Sequence, residues 1–122
     1  MRTKVTWSVG TMVAVLTALP ALAGDGVRML ATWYGEAYRG KPTASGERFD
    51  PSDYTAAHPS LPYGTRLAVR NPADGRTVVV RINDRAPGRA GIDLSHAAAR
   101  AIGLDQLGTA PVVIEAAANW YD

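Results

Sequence analysis

The side chains in this sequence that could do chemistry are few and far apart. There are two histidines, His58 in Ala56-Ala57-His58-Pro59 and His96 in Ser95-His96-Ala97. Glu47 stands 11 residues before His58, and Asp50 lies between them. Asp84 follows an alternating apolar run in Ile82-Asn83-Asp84-Arg85. If Val78, Val80 and Ile82 point into a core, the same parity carries Asp84 to the rim of that core, partly out of water. A desolvated carboxylic acid holds its proton to higher pH, as a general acid requires; Arg81 and Arg85 nearby oppose this by favouring the charged form. Trp33, Tyr34 and Tyr38 offer rings on which a sugar could stack. These types and spacings allow acid–base work by carboxylates beside one imidazole. They equally allow a structural reading. Asp84 then caps a turn or pairs with an arginine, Glu47 and Asp50 are solvated, His58 is a loop histidine, His96 faces solvent, and the aromatics are core.

Other chemistries find less support. The chain has no cysteine, which removes disulfides, thiolate zinc sites, a cysteine nucleophile and the acylated cysteine of a lipoprotein. A metal held by His58 with Glu47, Asp50 or Asp84 would have a thin ligand set, without H-E-x-x-H or paired-histidine spacing. No G-x-x-x-x-G-K-[ST], G-x-S-x-G or dinucleotide fingerprint occurs. Neither a metal nor an organic cofactor is expected.

The positioning elements are short. Residues 1–23 read as an export signal: Arg2 and Lys4, an apolar stretch from Val5 to Leu19, then Pro20 and Ala21-Leu22-Ala23 before Gly24. Removing 23 of the 122 residues leaves 99 and takes Lys+Arg from 13 to 11, equal to the 11 Asp+Glu. A neutral domain gives no bulk-charge case for nucleic acid. A chain of that size buries roughly 65% of its unfolded surface and folds alone. Residues 24–122 are therefore expected to be one domain acting outside the cytoplasm, secreted or periplasmic. Met29 to Tyr34 reads as a strand. Six glycines and prolines between Gly35 and Gly64 predict a loop-rich stretch there. Arg66–Arg70 and Arg76–Ile82 form a hairpin around Asn71-Pro72-Ala73-Asp74-Gly75. Ser95 caps a helix over His96–Ile102 that Gly103 ends. Pro111–Ala116 is the last strand. So many strands in so small a chain must close or double their sheet. The elements alone predict a small closed β-barrel with a helix.

Several blocks, in order, resemble the RlpA (rare lipoprotein A) family. They are Ala31-Thr32-Trp33-Tyr34-Gly35, Thr43-Ala44-Ser45-Gly46-Glu47-Arg48-Phe49-Asp50, Thr55-Ala56-Ala57-His58 and Leu61-Pro62-Tyr63-Gly64-Thr65. Val80-Arg81-Ile82-Asn83-Asp84-Arg85 and Ile92-Asp93-Leu94-Ser95 complete the set. The resemblance spans roughly residues 29–116. It implies a mainly-β fold, a six-stranded double-psi β-barrel with one or two short helices. It also implies an endolytic lytic transglycosylase that cuts between N-acetylmuramic acid and N-acetylglucosamine in peptide-stripped glycan and leaves 1,6-anhydro ends. The implied catalytic residues are Asp84, Glu47, His58 and Asp50. Trp33, Tyr34, Arg81 and Arg85 are the expected substrate contacts. The implied partners are peptidoglycan glycan strands and septal proteins; a monomer is expected, and without a cysteine no lipid anchor is expected. The sequence departs from the family at Ala86, where glycine is usual, and in the short Gly88-Arg89-Ala90-Gly91 loop. It also lacks the lipoprotein cysteine and an added peptidoglycan-binding repeat. The competing readings are an expansin-like wall binder without catalysis and a septal scaffold.

Overall fold

The computed structural model describes residues 26–86 and 91–117. The expected export signal and residues 88–90 of the short loop lie outside the described residues. Six strands form: β1 (Val27–Tyr34), β2 (Thr55–Ala57), β3 (Arg66–Arg70), β4 (Thr77–Asp84), β5 (Ile92–Ser95) and β6 (Ala110–Ala116). Among the described residues, one α-helix, α1 (His96–Ala101), follows β5 directly, and one 3₁₀ turn spans Glu36–Tyr38.

The strands close into a barrel in the order β1-β5-β2-β4-β3-β6. The pairs β1·β5 and β2·β4 are parallel, and the other four are antiparallel. This is the six-stranded double-psi barrel that the resemblance implies. Alternation fills its interior. Leu67 and Val69 from β3, Val78, Val80 and Ile82 from β4, Ile92 and Leu94 from β5, and Val112 and Ile114 from β6 are all buried. Ile102 and Leu104, just after α1, close the core. Each such aliphatic side chain contributes about 1.5–3 kcal/mol through the apolar area it removes from water.

The local signals read from sequence take concrete form. The β3–β4 hairpin pairs Leu67 with Val80 and Val69 with Val78. In its turn, Gly75 takes φ 81° and its N–H donates to the Asn71 carbonyl at 2.8 Å. Asn71 Nδ2 also donates to the Ile102 carbonyl at 2.8 Å, tying the hairpin to the end of α1. Ser95 Oγ accepts from the Ala98 N–H at 3.3 Å, and Gly103 follows the helix at φ 77°. Two short strands were not singled out in the sequence. The loop-rich stretch from 35 to 64 holds no long element, but Thr55–Ala57 enters the barrel between β4 and β5. The segment Ile92–Ser95 is likewise a strand and not merely a lead-in to the helix. At three and four residues, both are too short to show a period, and barrel partners hold them in place.

Candidate functional site

The site is built on the end of β4. Parallel pairing sets Thr55 beside Arg81 and Ala56 beside Ile82, then jumps to Ala57 beside Asp84. Asn83 is the extra residue, a β-bulge that breaks the parity of the strand. Ile82 and Asn83 are consequently both buried, at 0% and 2% exposure, and Asp84 emerges half-buried at the rim.

The bulge brings a distant loop to β4. Asn83 Nδ2 donates to Glu47 Oε1 at 2.8 Å, and Arg81 Nη1 donates to Glu47 Oε2 at 2.7 Å. Both carboxylate oxygens are therefore held from β4. The Arg81 bond, then the Asn83 bond, keep the Glu47 carboxyl below its ordinary range, so it stays ionised. The loop is fixed at two further points. The Ser45 N–H donates to the Asn83 carbonyl at 3.3 Å, and the Ala44 N–H donates to Asp84 Oδ1 at 2.8 Å. Within the loop, Thr43 Oγ1 and its N–H both donate to the Glu47 carbonyl, at 2.7 and 2.8 Å.

The two oxygens of Asp84 differ. Oδ1 accepts the Ala44 N–H and, at 2.9 Å, its neighbour Arg85's N–H. Oδ2 accepts the Tyr34 hydroxyl at 3.3 Å. Burial first, and then the Asp84 charge, push the Tyr34 phenol pKa far up, so it remains a donor. The Tyr34 ring stacks on Phe49 at 4.4 Å, which fixes the hydroxyl in place.

His58 arrives from the β2–β3 connection. Its backbone N–H donates to the Asp84 carbonyl at 3.2 Å. Its ring Nδ1 accepts the N–H groups of Ser60 and Leu61, both at 3.1 Å, which assigns the proton of the neutral ring to Nε2. Burial, then the Arg85 charge, lower its pKa and favour that neutral ring. The structure thus brings the segments carrying Glu47, His58 and Asp84 to one rim. Among the described residues, no hydrogen bond joins the imidazole to either carboxylate.

The other expected site residues divide between this rim and other places. The Asp50 carboxylate accepts both the N–H and Oγ–H of Ser52, at 2.9 and 2.6 Å, and faces Arg39 at 3.8 Å. It caps its own turn, and among the described residues it has no bond to Glu47, His58 or Asp84. Trp33 and Tyr34 do not share a platform, because successive residues of β1 point to opposite faces. The Trp33 ring stacks on His96 at 4.5 Å and 15°, so His96 is covered on that side and does not simply face solvent. Tyr38 does meet Tyr34, edge-on at 5.6 Å. Arg81 is engaged by Glu47, and Arg85 lies over the Tyr63 ring at 4.2 Å. Ala86, where the family usually has glycine, is buried.

Two contributors escaped the sequence reading. Asn83 was visible only as the residue before Asp84, and a bulge leaves no mark in the pattern. Tyr63 was visible only as a member of a resembling block. The Asn83 Oδ1 and Thr55 Oγ1 atoms are buried without hydrogen-bond partners among the described residues. Each such atom costs about 1–3 kcal/mol. A cavity of about 440 Å³ lies apart from this rim, between the 3₁₀ turn, Pro51–Ser52 and α1, with Tyr54, His96 and Arg100 in its wall. Among the described residues, no group of three His, Cys, Asp or Glu side chains is placed to hold a metal ion.

Comparison with known proteins gives consistent matches. The sequence model of the lytic transglycolase family matches residues 27–114. A probable endolytic peptidoglycan transglycosylase RlpA from Nostoc sp. is 50% identical over 105 residues, covering 80% of this chain and 28% of that protein. An endolytic peptidoglycan transglycosylase RlpA from Neisseria meningitidis is 46% identical over 87 residues, covering 70% of this chain and 36% of that protein. The chain thus spans about a third of the length of these curated relatives. Among solved structures, an expansin from Clavibacter michiganensis is 27% identical with a TM-score of 0.63, covering 79% of this chain and 52% of the expansin. A Streptomyces papain inhibitor is 25% identical with a TM-score of 0.57, covering 75% of this chain and 97% of the inhibitor.

Proposed function

The chain belongs to the lytic transglycolase family, and from that premise we propose that it is an endolytic peptidoglycan lytic transglycosylase. Its substrate is the glycan strand, stripped of stem peptides, and its place is cell-wall remodelling and septation outside the cytoplasm. The signal at 1–23 directs export and is then removed, and the protein works as a monomer on glycan strands beside septal proteins.

One observation carries the reading: two carboxylates on one rim are held in unequal ways. Glu47 has a strong donor on each oxygen and stays charged. Among the described residues, Asp84 has two backbone donors on Oδ1, while Oδ2 receives the long bond from Tyr34 alone. Oδ2 is therefore the oxygen open to an incoming sugar oxygen, and the one through which Asp84 passes a proton. In the reaction, Asp84 gives that proton to the glycosidic oxygen as the bond from C1 breaks. The C6 hydroxyl of the muramic residue attacks C1, and its proton returns to the Asp84 carboxylate. The books balance without water. Glu47, with its charge fixed, stabilises the positive character that builds at C1. His58, neutral with its proton on Nε2, donates to a sugar oxygen. Asp50 acts at a distance by holding the turn after the Glu47 loop. A water-using hydrolase would instead pair two carboxylates on opposite faces of the sugar and leave a reducing end.

The test is mass spectrometry of soluble products after incubation of the protein with purified glycan strands. Anhydro-muramyl ends are expected. Reducing ends would make it a hydrolase. Tight binding to sacculi without soluble product would favour a wall-loosening binder, a reading to which the likeness to the expansin barrel lends weight.

A further inference from the structure

We propose that Tyr38 and Tyr63 are the two stacking platforms of a glycan track that passes over Asp84, one on either side of the bond to be cut. The proposal rests on the glycan-cleaving reading and adds where the strand lies.

Among the described residues, three tyrosines are strongly exposed: Tyr38 at 50%, Tyr54 at 54% and Tyr63 at 44%. Isolated exposed aromatics need no explanation. Two of these, however, connect to the acid by contact. The Tyr38 ring meets the Tyr34 ring edge-on at 5.6 Å, and the Tyr34 hydroxyl bonds Asp84 Oδ2. The Tyr63 ring lies under the Arg85 guanidinium at 4.2 Å, and the Arg85 N–H bonds Asp84 Oδ1. The contacts therefore run from Tyr38 through Tyr34, Asp84 and Arg85 to Tyr63, and they reach the two oxygens of the acid from different partners. Tyr54 has no such link and lines the separate cavity beside α1.

The surroundings of the two rings match. Each carries a cation over one face, Lys41 at 5.5 Å from the Tyr38 centroid and Arg85 over Tyr63. A cation over one face steadies an exposed ring and leaves the opposite face to an incoming group. The apolar CH face of a pyranose fits such a ring, and the neighbouring ammonium or guanidinium can donate to its hydroxyl and acyl oxygens. A polymer seated on both rings would place an internal linkage at Asp84. Binding energy collected away from the reacting atoms could then be used to orient them.

The test uses the protein carrying Asp84→Asn, so that binding is read without turnover, and purified glycan strands as the probe. Tyr38→Ala and Tyr63→Ala should each weaken binding about 5- to 10-fold, and the pair should weaken it more. Tyr38→Phe and Tyr63→Phe should bind like the parent, because the ring and not the hydroxyl is used. Tyr54→Ala should be neutral. In the active protein, the same alanine variants should raise KM more than they lower kcat. Equal binding by the double alanine variant and its parent would overturn the track. Absence of anhydro product from the wild type would instead count against the transglycosylase reading, and the binding series would still decide the track.

Discussion

At the scale of single residues, the site depends on which groups hold Glu47 and which leave Asp84 Oδ2 lightly bonded. Asp84→Asn should lower turnover of glycan strands by about 10²–10⁴-fold, the usual contribution of a positioned acid. Glu47→Gln removes a fixed charge and should cost about 10²–10³-fold, with the fold retained on circular dichroism. Full activity in either variant would refute the corresponding role. His58 supplies a pH test. Its folded pKa lies below the ordinary 6.5, so the unfolded chain binds the proton more readily. The stabilisation from the neutral ring is complete above about 6.5 and is lost as pH falls toward the folded pKa. His58→Asn keeps an acceptor for the Ser60 and Leu61 amides but cannot titrate. Its Tm should therefore fall less than the wild type's between pH 7.5 and 5, and parallel curves would refute this account. The residue types were legible in the sequence: Glu47, His58 and Asp84 could be named as an acid–base possibility beside a structural one, and their segments do meet at one rim. Asn83 could not be named, because its partner Glu47 lies 36 residues away and only the bulge brings the two together.

At the scale of elements, a few side chains fasten segments that local propensity would not hold. Ser95 is the clearest case. Its Oγ donates to the Asp53 carbonyl at 2.6 Å and accepts the N–H groups of Thr55 and Ala98, both at 3.3 Å, with the residue fully buried. One hydroxyl thus caps α1, ends β5 and anchors the start of β2. Ser95→Ala should destabilise by about 2 kcal/mol, more than an isolated N-cap, because buried groups lose a partner as well. Urea titration would measure it, and a loss below about 0.5 kcal/mol would contradict the shared role. The hairpin and α1 were legible because their turn and cap residues act within a few positions. Thr55–Ala57 was not, since its strand conformation comes from β4 and β5 on either side. Trp33 was misplaced for a related reason: the sequence shows that two aromatics are adjacent but not which of them faces the rim.

At the scale of the molecule, the closed ring makes one core answer for every strand. Ile82 is fully buried near the end of β4, two residues before Asp84. Ile82→Ala should cost about 2–5 kcal/mol. It should also reduce activity at temperatures where the barrel stays folded, because Asn83 and Asp84 take their positions from that strand. A stability loss without any change in turnover would show that the rim is held independently of the core. Closure itself was foreseeable, since a small all-strand chain has to hide its edges. The strand order was not, because it depends on two parallel crossovers that no local pattern encodes.

The antiparallel partnership of β1 and β6 sets Val27 beside Ile114, so the polypeptide enters and leaves the barrel at neighbouring points. Tyr34, at the other end of β1, is seven steps on, about 23 Å along an extended strand. The doorway and the workbench are therefore at opposite ends. The geometry suits a cassette: a longer polypeptide joined at these points would keep its splice points away from Glu47 and Asp84.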